Sequence, residues 1–130
     1  MQIERREFMM MTGAASISGV VLGEGKPTMY GLIGKMTAVA GKRDELIAIL
    51  LEGVSGMPGC LSYVVAKDPA DADGIWITEV WDSQESHKAS LSLPSVKQAI
   101  TRGRPLIAGF SNHTVTEPVG GHGLASAKPR

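Results

Sequence analysis

Gly74-Ile75-Trp76-Ile77-Thr78-Glu79-Val80-Trp81-Asp82-Ser83-Gln84-Glu85-Ser86-His87-Lys88 reads as a strand that runs directly into a helix. Alternation over Ile75–Trp81 puts Ile75, Ile77, Glu79 and Trp81 on one face, the period of two expected of a strand with one buried side. Asp82 suits a helix N-cap, with Glu85 three residues on as its capping-box partner. The helix so started runs to about Leu91. Upstream, Asp68-Pro69-Ala70-Asp71-Ala72-Asp73-Gly74 has the composition of a hairpin loop, and before it Cys60 to Ala66 reads as a second strand. Further back, Met29 to Thr37 alternates as a first strand, with Tyr30, Leu32, Gly34 and Met36 on one face. Gly41 to Val54 carries Leu46, Ile47, Ile49, Leu50 and Val54 at helical spacing and is closed by Gly53 or Gly56 and Pro58. Downstream, Pro94 opens a second helical piece as far as Gly103, Pro105 starts a short turn, and Phe110 to Glu117 forms the last strand.

The order is βαββαβ, the split βαβ arrangement of an α+β, ferredoxin-like fold with one antiparallel sheet and helices on one of its faces. The other face carries apolar side chains from several strands, and apolar area left in water costs roughly 25 cal/mol per Å². Joining two sheets in a twofold homodimer removes that cost. The expected assembly is a dimeric α+β barrel.

Composition narrows the function classes. The 130 residues include 13 basic and 13 acidic side chains, one cysteine and three histidines. One domain of this size is too short for a doubly wound nucleotide enzyme or an eight-unit barrel. A net charge of zero without a basic run gives no nucleic-acid footprint. Cys60 has no partner for an internal disulfide or a thiolate zinc site, and no apolar run reaches the ~20 residues of a membrane span. No Gly-x-Gly-x-x-Gly follows the first strand. The histidines are 26 and 9 residues apart, which is not metal-ligand spacing on a helix. Neither a cofactor nor a metal is expected.

Residues 1–28 read as a separate object, ahead of a domain over 29–117 and a glycine-rich tail over 118–130. Arg5-Arg6-Glu7-Phe8-Met9 precedes a moderately apolar stretch from Met10 to Leu22. This is the layout of an export signal peptide and resembles the bacterial twin-arginine type. A periplasmic location follows if it acts as one, and a cytoplasmic location otherwise. A disordered tail, a helical arm against a partner subunit, or a true start at Met29 are the alternatives.

The stretch Gly74–Asp82 with Glu85-Ser86-His87-Lys88-Ala89-Ser90, together with Met57-Pro58-Gly59-Cys60-Leu61-Ser62-Tyr63, resembles the antibiotic biosynthesis monooxygenase (ABM) domain. In that family a Glu-x-Trp ends the third strand, a His follows in the next helix, and a Pro-Gly-Cys-x-x-Tyr-like segment enters the second strand. The resemblance covers about Met29 to Thr116. It implies the ferredoxin-like dimer and, for activity, a cofactor-independent oxidation of a hydroquinone or related phenolic or polyketide substrate by O2. A non-catalytic dimeric module holding a small aromatic ligand is the alternative. Haem-degrading members use an Asn on the first strand and a His late in the second helix; this chain has Asn112 alone and no His in Lys97-Gln98-Ala99-Ile100, so haem chemistry is not expected.

Candidate site residues follow. Near a helix start and partly buried, His87 would stay neutral at pH 7 and could act as a general base; a packing role at the strand-helix corner is the alternative. Trp81 would wall an aromatic pocket or fill core. Glu79 would orient His87 or bond a backbone amide, or else pair with Lys35 or Arg102. Tyr30 and Tyr63, expected on neighbouring strands, would hold a substrate oxygen or serve as core tyrosines. Arg102 and Arg104 would steer an anionic ligand or be solvated, and His122 would lie in a flexible tail.

Overall fold

The computed structural model describes residues 28–125. The export signal read in residues 1–28 lies outside the described residues save for Thr28, as does the end of the tail from residue 126. Four strands, β1 (Tyr30–Ala38), β2 (Cys60–Lys67), β3 (Gly74–Trp81) and β4 (Ile107–Thr116), form one antiparallel sheet in the order β2-β3-β1-β4. Helices α1 (Arg43–Gly53), α2 (Gln84–Ser90) and α3 (Pro94–Gly103) connect them, and a single 3-10 turn, Arg104–Leu106, leads into β4. The βαββαβ ferredoxin-like α+β fold is therefore present, with its usual strand order.

Local chemistry explains the elements. In β1, Tyr30, Leu32, Met36 and Ala38 are buried while Ile33, Lys35 and Thr37 are half-exposed, which is the period-two pleat with helices on one side only. In α1, Leu46, Ile49, Leu50 and Gly53 are buried, one stripe of a 3.6-residue period. Asp44 and Glu45 occupy its first turn, where the helix dipole favours negative charge. α1 and α3 approach so closely that a Cβ on Gly53 would lie 2.6 Å from that of Ala99. Pro94 sits in the first turn of α3, where its missing N–H costs nothing.

Three expectations are corrected in detail. The N-cap of α2 is Ser83, not Asp82: its hydroxyl accepts from the Ser86 amide at 3.1 Å, so the Asp82–Glu85 capping box is not formed. The last strand starts at Ile107 rather than Phe110, because Ile107 leaves the 3-10 turn already paired with Ala38 and buried in the core. The segment after β4 is tied down: the Ala125 amide donates to the Leu61 carbonyl at 2.9 Å, reaching the far edge of the sheet.

The core has two parts on the helical side of the sheet. One gathers Met36, Ala38, Leu46, Leu50, Ile75, Ile77 and Ile107. The other gathers Tyr30, Leu32, Met57 and Trp81. Tyr63 packs against both. The opposite face, with Ile33, Trp76 and Val80 half-buried and Val64 51% exposed, has no helix over it. Lys35 projects there into an ion pair with Asp68 (3.1 Å) and Asp71 (2.9 Å). Among the described residues no helix is long and apolar enough to cross a membrane.

Candidate active site

A cavity of about 80 Å³ opens where the two core clusters meet. Its walls come from the sheet (Met36, Tyr63, Ile77, Trp81), from α1 (Leu46, Leu50) and from α3 (Val96, Ala99, Ile100). Besides the Tyr63 phenol, two ionisable groups project into this largely apolar pocket, Glu79 from β3 and His87 from α2.

The strand pleat sets Glu79 and Trp81 on the same face, two residues apart, and the indole Nε1–H donates to Glu79 Oε1 at 2.8 Å. That bond fixes the carboxyl at the cavity wall and satisfies the buried indole. His87 reaches the same place from α2. Its ring packs edge-on to Trp81 (5.3 Å between centroids, 73°) and tilted against Tyr30 (5.4 Å, 40°). Tyr30 and Trp81 face each other across β1 and β3, so the imidazole is wedged by a cross-strand aromatic pair. His87 Nε2 lies 3.9 Å from Glu79 Oε1, in contact but beyond hydrogen-bond length.

Burial governs the electrostatics. His87 is 3% exposed and Glu79 9%. Desolvation holds the imidazole pKa down to about 4, well below its ordinary value. The same effect pushes the Glu79 carboxyl up to about 7, against the indole hydrogen bond that lowers it. Tyr63, directly opposite Glu79 on β2, is held well above the usual phenol range by burial and then by the Glu79 charge. Tyr30 is raised by burial and then by the Glu79 charge, offset in part by the Gln84 side chain.

Glu79, His87, Trp81 and Tyr63 thus converge on one cavity, and Tyr30 backs His87 from behind. Arg102 does not join them: it points outward from α3 and bonds Glu52 on α1 at 2.7 Å, both side chains more than half exposed. Lys35 is on the far face of the sheet, so neither cation expected as a partner for Glu79 pairs with it. Tyr30 and Tyr63 are not on neighbouring strands, because β3 lies between β1 and β2; what they share is Glu79. Met57, Ser90 and Leu91 also line the cavity. They went unmarked in the sequence because nothing in their chemistry separates them from ordinary core residues.

The ABM family model matches residues 29–102, more than half of the chain and every cavity-lining residue but Gly103. The chain belongs to the antibiotic biosynthesis monooxygenase family. A crystal structure from Chloroflexus aurantiacus J-10-fl, whose description carries the same family name, is 72% identical over 75% of this chain and 100% of its own, with a TM-score of 0.74. A Caulobacter crescentus CB15 structure with the same family name in its description is 19% identical over 72% of this chain and 92% of its own, TM-score 0.66. A Pseudomonas aeruginosa structure is 21% identical over 74% and 100%, TM-score 0.64. These two show the fold alone. No curated protein matches the chain.

Proposed function

We propose that this ABM protein oxidises a hydroquinone or related electron-rich phenolic with O2 in the cavity beside Glu79 and His87. The observation that carries the reading is a buried carboxyl and imidazole 3.9 Å apart at the wall of a largely apolar pocket. Buried ionisable groups with displaced pKa values beside an apolar pocket are what proton-transfer chemistry uses.

The substrate supplies the electrons. Loss of a phenolic proton makes an aromatic anion that donates to O2. A hydroquinone plus one O2 gives a hydroxyquinone plus one water, so four electrons leave the ring, one oxygen atom enters it and the other leaves reduced. The protein's part is to take the proton, exclude water with Leu46, Leu50, Val96 and Ile100, and hold the ring against Trp81 and Tyr63. At about 80 Å³ the enclosure is well below the ~300–1,000 Å³ of drug-sized sites. It suits a ligand no larger than one aromatic ring; a fused-ring substrate requires α2 and α3 to part.

O2 uptake should exceed the protein-free rate by about 100-fold with a single-ring hydroquinone, the scale of proton-transfer catalysis, and His87→Ala should lose most of this gain. Equal uptake with and without protein rejects the reading. Ligand binding without O2 uptake leaves the cavity as a binding module.

We also propose that two copies pair through the uncovered sheet face, where Ile33, Val64, Trp76 and Val80 are otherwise left to water. Sedimentation at micromolar concentration should give twice the chain mass, and Val64→Asp should halve it. A monomeric wild type refutes the pairing.

A further inference from the structure

We propose that Glu79, rather than His87, removes the phenolic proton, and that His87 is its positioning neighbour. The inference rests on the phenol-oxidation reading of the cavity and assigns the base within it.

The first ground is charge. When a neutral phenol gives its proton to a carboxylate, one anion is exchanged for another: the phenol O–H bond breaks, a Glu79 O–H bond forms, and the phenolate carries the charge that the carboxylate gave up. When the phenol gives its proton to a neutral imidazole, a cation and an anion appear together where there was no charge. In an enclosure lined by Met36, Leu46, Leu50, Ile77, Val96 and Ile100, creating two charges is the costlier course.

The second ground is bonding. Glu79 Oε1 is committed to the Trp81 indole at 2.8 Å. The indole is the one hydrogen-bond partner shown for this carboxyl among the described residues, and the side chain lines the cavity, which leaves its other oxygen to accept from a ligand. His87 has no such arrangement. The carboxyl oxygen at 3.9 Å from its Nε2 is too far to bond, and an imidazolium there would lack a hydrogen-bonded counter-ion.

The groups around Glu79 agree. From β2 come Tyr63 and Cys60, from β1 Tyr30, and from α2 His87; α1 and α3 present aliphatic side chains and Gly53 and Gly103 only. Among the described residues no cation pairs with the carboxyl, and burial brings its pKa to about 7, within reach of the working pH, while His87 near 4 is a poor acceptor. His87 is then left to do what its packing fits it for: wedged between Tyr30 and Trp81, it keeps the indole against the carboxyl.

Two measurements on the full chain test this. Infrared titration of the resting protein should show a protonated-carboxyl band with a midpoint near 7 that is absent in Glu79→Gln and present in His87→Gln. The amide oxygen of Glu79→Gln still accepts from the indole, so this variant keeps the local structure. For O2-dependent hydroquinone oxidation, kcat/KM should rise through pH 7 in both wild type and His87→Gln. In Glu79→Gln it should be about 100-fold lower and without the rise. A wild type that turns over but keeps its pH limb in Glu79→Gln and loses it in His87→Gln overturns this role alone. So does a carboxyl band that titrates in the ordinary carboxylate range. A wild type without O2 uptake overturns the phenol-oxidation reading together with the role.

Discussion

Glu79→Gln and His87→Gln should change the pH dependence of stability in opposite directions. The Glu79 carboxyl is raised in the folded chain from 4.5 to about 7. Between those values the folded state holds more protons than the unfolded one, so this residue makes stability fall as pH rises. The His87 imidazole is lowered from 6.5 to about 4. Between those values the unfolded state holds more protons, so this residue makes stability rise with pH. In the wild type the two slopes oppose each other across about pH 4.5–6.5 and largely cancel. Glu79→Gln leaves the histidine alone, and stability should climb from about pH 4 to 6.5. His87→Gln leaves the carboxyl alone, and stability should drop from pH 4.5 to about 7. Each unmasked change is on the order of 3 kcal/mol, which in a domain of this size moves Tm by on the order of 10 °C. Asp68 and Asp71, whose pKa values are lowered through hydrogen bonds that include Lys35, make stability fall as pH drops, but equally in all three proteins. Thermal melts at a series of pH values decide the matter. Curves for the two variants that run parallel to wild type would show that neither group is displaced as burial implies.

The alternation Ile75, Ile77, Glu79, Trp81 is legible in the sequence because a strand with one covered face has no other pattern to offer, and all four side chains are buried on the helical side. The same alternation is enough to put Glu79 and Trp81 side by side. Their hydrogen bond is not legible, since two side chains on one face can equally point apart. The two cations expected to pair with Glu79 are each claimed elsewhere, Lys35 by the hairpin aspartates and Arg102 by Glu52. Such competition depends on which residues the loops and helices bring near, and periodicity does not carry it. Strand adjacency fails for a related reason: Tyr30 and Tyr63 follow one another in strand order along the chain, yet β3 pairs between their strands. The cap of α2 falls one residue later than expected because Asp and Ser are both strong N-caps and the choice goes to whichever oxygen reaches the third amide. β4 begins early because Ala108 and Gly109 carry little strand preference of their own, and the pairing with β1 overrides it. The family resemblance, by contrast, rests on spacing that the fold enforces: Trp81 ends β3, and His87 stands where α2 returns over it.

Gly59→Ala should be far more damaging than its size suggests, and the reason links the second strand to the site. Gly59 has φ +83, and a methyl there would lie 2.5 Å from Ser86 Cβ and Oγ and 2.8 Å from Asp82 Oδ1. Two costs add: about 1–2 kcal/mol for an L-residue in the left-handed region, and about 1–3 kcal/mol for overpacking. Gly41 separates them. It has nearly the same conformation, φ +78, but nothing lies within 4 Å of its added methyl, so Gly41→Ala bears the conformational cost alone. The clash at Gly59 falls on the first turn of α2. This helix is only seven residues long and is pinned by the Ser83 cap and by the Asp82 amide, which donates to the Gly59 carbonyl at 2.9 Å. The cheapest relief is a shift of α2 away from the sheet, and His87 travels with it, out of the wedge between Tyr30 and Trp81. Gly59→Ala should therefore lower Tm by about 10 °C or more, against roughly half that for Gly41→Ala. It should also change the fluorescence of Trp81 and reduce hydroquinone oxidation at temperatures where the variant is still folded; Gly41→Ala should do neither. Equal losses of stability in the two variants, with Trp81 emission unchanged in both, would mean that α2 does not rest on Gly59 and that the imidazole is held in place by the aromatic pair alone.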